Sequence, residues 1–399
     1  MEVTTQRDTR SKVVRTWTRL CWLCFVMNGI AAVLGGAVLP EVMLTFHLTP
    51  SIAGLFIAIP AVGVILAGMT GGMFARALDI TRTLTFSVLG LGLSLLLIAV
   101  APAIPILLLG ALFFGVVNGL IETSGNALIV EIYPRQAARE LNLIHFFFGI
   151  GAFVSPMLIA FLFSKGVPWR VGYLIPASLI LFLFGILLRQ PSLKVSAVGV
   201  VEEISLWQWF RNQLVFQAWV GAFLLLATEQ GVTGWVTTYM RQEEILLPHV
   251  ASVGLAIFWL SMLAGRIVNT RLPPGISPKK IIIAQVIGTA LSLLVVLVTR
   301  HPLFGLIGLG LVGLFMAGIY PALLVYASGQ NTSFISVISG IFVTGVGLGK
   351  LAGPMIIGLV AETFDLSYVM YLTVILILGV GLVFLIPLRK PSSPAHISD

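Results

Sequence analysis

Ile104-Pro-Ile-Leu-Leu-Leu-Gly-Ala-Leu-Phe-Phe-Gly115-Val-Val-Asn118-Gly119-Leu-Ile-Glu122-Thr-Ser-Gly-Asn126-Ala-Leu-Ile-Val-Glu131-Ile-Tyr-Pro134 is the stretch on which the fold turns. It opens as a long apolar run, so Glu122 is expected inside a bilayer, where an ionised carboxylate needs a partner or a proton. Asn118, Glu122 and Asn126 recur every fourth residue, which on a helix stacks them along one face, with Gly115 and Gly119 beside them. Polar groups in membrane helices sometimes only glue neighbours together. Three on one face point instead to a water-filled path.

The rest of the chain has the same character. Hydrophobic residues make up 58% of the 399 positions and charged residues 10%, against roughly 45–50% and 25% in soluble domains. Apolar runs of bilayer-crossing length recur, too continuous for barrel strands. They place spans near 20–39, 50–75, 83–101, 105–131, 142–164 and 170–188, then near 214–240, 249–269, 280–299, 303–327, 335–361 and 367–388. The expected fold is an all-α membrane protein with twelve transmembrane helices in two six-helix bundles. Its parts are an N-tail (1–17), a bundle (18–188), a connector (189–213), a second bundle (214–388) and a C-tail (389–399). Trp207, Trp209 and Phe210 in the connector suit a segment at the membrane surface.

Twelve spans put both termini on one side. Of the 23 Lys and Arg, Lys165, Arg170, Arg241 and Arg300 fall on the opposite side, Lys350 falls inside the eleventh span, and the others, Arg266 among them, count with the termini. The positive-inside rule then makes both termini cytoplasmic, in a multi-pass protein of the plasma membrane. The net charge of +8 thus reads as topology, not nucleic-acid binding. Cys21 and Cys24 read as packing residues of the first span.

An internal repeat links the halves. Gly149-Ile-Gly151-Ala-Phe-Val-Ser155-Pro156 in the fifth span matches Gly347-Leu-Gly349-Lys-Leu-Ala-Gly353-Pro354 in the eleventh at an offset of 198, which also carries Gly115 onto Gly313. Repeats of this kind occur in transporters that rock about a site between their halves. On these grounds the whole chain resembles the major facilitator superfamily. That family's loop signature after span two, Gly-x-x-x-Asp-Arg-x-Gly-Arg-Arg, is degenerate here, as Gly72-Met-Phe-Ala-Arg76-Ala-Leu-Asp79-Ile-Thr-Arg82. The string from Glu122 to Pro134, followed by Leu141-Asn142-x-x-His145-x-x-Phe148-Gly149, is similar to the fucose and hexose symporter branch, although Leu34-Gly35-Gly36-Ala37 replaces the acidic region that branch often has late in span one.

The resemblance implies a central cavity between spans one, four, seven and ten, completed by two, five, eight and eleven. Expected substrate-binding residues are Asn28, Asn118, Glu122, Asn126, Asn142, His145, Phe146, Glu229, Gln230, Thr233, Trp235, Tyr320 and Lys350, with Glu122 and Glu229 carrying proton coupling. Amides, hydroxyls, few charges and aromatic faces suit a small polar solute, a sugar first. The alternative is a proton-driven exporter of amphipathic compounds held by the Phe-rich stretch 146–148. Lys350 and Glu229 are expected to pair, leaving Glu122 as the proton switch.

Neither an enzyme nor a cofactor site is expected. The five His are scattered, and no H-E-x-x-H, P-loop or G-x-S-x-G string occurs. The expected partners are a small-molecule substrate, a coupling proton or Na⁺, and the lipid bilayer. The chain is expected to work as a monomer.

Overall fold

The computed structural model describes residues 2–193, 212–243, 245–273, 275–299, 301–328 and 335–386. The connector from 194 to 211, with Trp207, Trp209 and Phe210, and the C-tail 389–399 lie outside the described residues. Among the described residues twelve helices are long and apolar enough to cross a membrane, as an integral multi-pass protein requires. The first half holds α1 (Glu2–Phe46), α2 (Pro50–Leu78), α3 (Ile80–Val100), α4 (Ile104–Ile132), α5 (Ala137–Ser164) and α6 (Trp169–Leu188). The second holds α7 (Gln213–Gln242), α8 (Pro248–Thr270), α9 (Pro278–Thr299), α10 (Pro302–Met316 and Ile319–Ser328), α11 (Ile335–Val360) and α12 (Leu366–Val369 and Tyr371–Leu385). The polar N-tail is therefore helical, continuing α1 out of its apolar span.

The packing repeats as the sequence does. α1 lies on α5, α2 and α3 on α4, and α3 on α6; in the second half α7 lies on α11, α8 and α9 on α10, and α9 on α12. Between the halves α1 meets α7, while α2 meets α11 and α5 meets α8, the last two being one contact seen twice under the repeat. Glycines set how close these helices come. A Cβ on Gly115 would lie 2.0 Å from the Pro60 carbonyl oxygen, and one on Gly313 would lie 2.1 Å from that of Phe258. Pro60 and Phe258 are themselves 198 apart.

Gly115→Ala and Gly313→Ala should each drive a methyl into a neighbouring backbone, which cannot yield as a side-chain tip can. A loss of about 1–3 kcal/mol is expected from overpacking, read as a lower melting temperature in detergent. Gly185, with nothing within 4 Å of its added Cβ, is the control, and its Ala variant should be neutral. Equal tolerance at all three positions would refute the close approach.

Two local features position the site. α10 breaks between Met316 and Ile319 because Pro321 has no N–H for the Ala317 carbonyl and its ring crowds that carbonyl. At the other feature, Asp79 stands where the family signature has Gly and adopts φ +65°, a backbone conformation that favours Gly. Its side chain makes a compensating set of bonds. Oδ1 accepts from the Arg82 N–H at 2.9 Å and the Thr81 hydroxyl at 2.8 Å, capping α3, and Oδ2 accepts from the Ser192 hydroxyl at 2.9 Å. Partial burial works against the charge, yet these bonds and the Arg82 guanidinium hold the carboxyl below its usual range. The tie between the α2–α3 turn and the segment after α6 is thus complete above the ordinary carboxylate range and lost as pH falls through the lowered value.

Candidate functional site

The halves are latched at the end away from the termini. Glu41 at the end of α1 accepts from Arg241 at the end of α7, Oε1 to Nη1 2.7 Å. Ser51 at the start of α2 donates its N–H at 2.9 Å and its hydroxyl at 2.5 Å to Glu362 just after α11. The Thr237 hydroxyl of α7 donates to the Gly36 carbonyl of α1. Nearby, a Cβ on Gly54 would lie 2.7 Å from the Pro354 carbonyl oxygen.

Charged and polar side chains collect further toward the terminal end. Glu122 projects from α4 between the faces that meet α1 (Asn118, Gly125) and α2 (Gly119), and is half-buried. His145, half-buried on α5, sets its ring edge-on to Phe25 of α1, centroids 5.6 Å apart. It lies in the field of Glu122 and, with opposite sign, of Arg266 and Lys350. Glu229 of α7 lies in the field of Lys350 on α11 and Arg266 on α8. Tyr320, just past the α10 break, lies in that of Glu122, with its ring 6.3 Å from Phe342. Six helices thus bring Glu122, His145, Glu229, Arg266, Tyr320 and Lys350 into one electrostatic neighbourhood.

One expectation is corrected. Among the described residues ion pairs join Arg82 to Asp79 at 3.6 Å and Arg241 to Glu41 at 2.7 Å, and Glu229 forms none with Lys350. A second cation, Arg266, shares the field of Glu229, so the carboxylate is not committed to one partner. Arg266, counted with the terminal side from its place near the end of the eighth span, lies within α8.

The remaining expected residues divide into walls and scaffold. Asn126 is half-buried, with its Oδ1 buried and unbonded, and Gln230 is half-buried on α7. Asn142 is exposed on α5. Asn28 is fully buried, and its Oδ1 accepts from the Asn118 amide at 2.8 Å, so these two amides tie α1 to α4. Thr233 is buried and donates to the Glu229 carbonyl at 2.8 Å. Trp235 is buried and its indole donates to the Pro354 carbonyl at 3.1 Å, packing α7 on α11 instead of forming an open stacking platform. Phe146 falls on a stripe of α5 continued by the exposed Val154, Met157 and Phe161, which faces away from the bundle.

Residues 21–330 match the family model of the Major Facilitator Superfamily. The chain belongs to that superfamily. It is 26% identical over 352 residues to the membrane protein MosC of Rhizobium meliloti, covering 86% of this chain and 83% of that one. It is 23% identical over 321 residues to the human sodium-dependent glucose transporter 1, covering 70% of this chain and 61% of that one. Among solved structures, the nucleoside transporter NupG superposes with a TM-score of 0.77 at 14% identity, covering 94% of this chain and 98% of that one. A point variant of the E. coli fucose:proton symporter FucP superposes at 0.63 and 17% identity, covering 93% and 98%. These likenesses establish the superfamily fold, which is that of transporters and not of enzymes.

Proposed function

We propose that the protein is a secondary active transporter that moves a small polar solute, most naturally a sugar, by alternating access coupled to a proton gradient. The observation that carries this reading is the convergence of Glu122, His145, Glu229, Arg266, Tyr320 and Lys350 from six helices, on the terminal side of a latch that joins the repeats at the other end. Charges inside a membrane bundle mark solute or ion paths, and a site between two repeats is where rocking exposes a solute to either side in turn. Half-buried Asn126 and Gln230 add donors and acceptors for hydroxyl groups. The name of the human glucose transporter supports sugar as the first class to test and Na⁺ as the other coupling ion.

The exporter reading has less support. Of its aromatic stretch, Phe146 faces away from the bundle, Phe147 stacks on Trp22 at 5.0 Å, and Phe148 packs its backbone against Gly29.

The proposal puts both termini in the cytoplasm of a plasma membrane, and the Lys and Arg bias supports the orientation. In this orientation the latch closes the outer side. A cysteine at Ser192 should be labelled from the cytoplasmic side alone, and labelling from outside would reverse the topology. For function, counterflow of a labelled hexose panel in proteoliposomes, with and without a pH step, is expected to show exchange of at least one hexose and its accumulation under the step. Movement of dyes or lipids with no sugar exchange would overturn the reading.

A further inference from the structure

Arg266 stands out in this cluster. Along α8 it falls on the stripe of Leu255, Trp259, Met262 and Leu263, all buried, about 100–120° round the helix from the exposed Leu260 and Ile267. Yet Arg266 is itself exposed. An exposed side chain on the inward stripe of a membrane helix opens onto the space between the bundles. Lys350 holds the matching place on α11, between Gly347, which faces Ile65 of α2, and Gly349, which faces Phe223 of α7.

Neither cation forms an ion pair or a side-chain hydrogen bond among the described residues. The guanidinium carries five N–H donors and stays charged at any physiological pH, and the ammonium carries three. Glu229 is the carboxylate in the field of both, and the cluster's second carboxylate, Glu122, is the group assigned the coupling proton, so the proton-loaded carrier holds one anion for two cations. On the other flank Glu122 faces His145 and Tyr320. The same inward stripe of α8 holds another unmet donor, the buried Nε1 of Trp259.

This donor excess matters most when the carrier closes. In the open cavity water satisfies the guanidinium and ammonium. In the occluded intermediate of alternating access water is shed, and unmet charged donors in a membrane interior become costly. Hydroxyl groups of a neutral sugar can accept hydrogen bonds but leave the extra positive charge uncompensated. A carboxylate does both, meeting the guanidinium fork with two parallel bonds.

We infer that Arg266, assisted by Lys350, recognises a carboxylate on the transported solute, so that the substrate class is a hydroxylated acid, a uronate or aldonate in place of a neutral sugar. This rests on the cavity being a polar-solute site as proposed above, and it narrows that class.

The test is counterflow in proteoliposomes with labelled glucuronate and labelled glucose in parallel, together with ligand-induced shifts of melting temperature in detergent. Wild-type protein is expected to favour glucuronate. In Arg266→Gln the ratio of glucuronate to glucose exchange should fall roughly 10- to 100-fold, the loss of one charged hydrogen bond or somewhat more. Arg266→Lys, which keeps the charge and loses the fork, should fall between, and Lys350→Gln should move the ratio the same way. Because the readout is a ratio, a variant that merely folds less well lowers both arms and leaves it unchanged. An unchanged ratio in Arg266→Gln would overturn the inference. Exchange of glucose without glucuronate by the wild type would overturn it while leaving the sugar reading intact. Binding of neither would remove the polar-solute reading and this inference with it.

Discussion

Glu122→Gln is expected to leave solute exchange across the membrane running and to abolish accumulation against a gradient when a pH step is imposed. The reason lies in where Glu122 projects. It points from α4 into the space between α1 and α2, in the field of His145 and Tyr320, and no cation bonds it among the described residues. In the proton-coupled cycle proposed above Glu122 is the group assigned the proton, and the amide of Gln keeps its shape and removes that exchange. One proton per solute lets a unit pH step sustain about a tenfold concentration ratio. In the variant that ratio should fall to one, with counterflow within a few-fold of wild type. Accumulation that survives in Glu122→Gln would move the coupling to another group, and the same assay on His145→Gln and Glu229→Gln would locate it.

Much of this architecture is legible in the chain itself, because lipid imposes long apolar runs and a repeat must reuse its close-packing residues. Gly115 and Gly313 are visible as repeat partners in the sequence, and they do touch equivalent backbone atoms. Pro321 is equally visible, but whether a membrane proline breaks or only bends its helix depends on its surroundings: α10 breaks, whereas α2 runs on through Pro60 and α11 through Pro354.

The site is legible residue by residue and not in its pairings. Glu122, His145, Glu229, Tyr320 and Lys350 betray themselves as ionisable or hydrogen-bonding groups within apolar runs. Arg266 does not, since a cation a few residues from a span end looks like a loop charge. Its sequence signal is its fall on the helical stripe of Trp259, Met262 and Leu263. Contact partners are less accessible still. The Asn118 amide reaches Asn28 Oδ1 across 90 residues while Asn28 Nδ2 stays buried and unbonded, and Glu229 lies in the field of two cations without an ion pair to Lys350, because the third dimension decides which polar groups meet.

Breaking the latch at the end away from the termini should shift the carrier toward the conformation open on that side. The bond between Glu41 and Arg241 exists only while the ends of α1 and α7 are together, so it weights the equilibrium by its own free energy. The side chains retain 30% and 19% of their exposure, so screening limits the contribution to about 1–2 kcal/mol, a factor of roughly 5–30 in population. In Arg241→Ala, spin labels at His47 and Gln242, both exposed beside the pair, should show a longer distance component. The charge swap Glu41→Arg with Arg241→Glu should remove it. Persistence of the wild-type distance in Arg241→Ala would show that the pair is incidental.

The second clasp adds a pH dependence with a definite sign. Hydrogen bonds from the Ser51 hydroxyl and N–H hold the Glu362 carboxyl below its ordinary range. A lowered value means that the clasp is at full strength above the ordinary carboxylate range and is lost as pH falls through the lowered value. Acid on that side should therefore loosen closure, the direction in which a proton-driven importer must move to load. Glu362→Gln keeps an acceptor for Ser51 but cannot titrate, so it should flatten the acid-induced lengthening between His47 and Gln242 while leaving the distance at neutral pH unchanged. An acid response that survives in Glu362→Gln would assign the effect to Glu41, the other carboxylate of the latch.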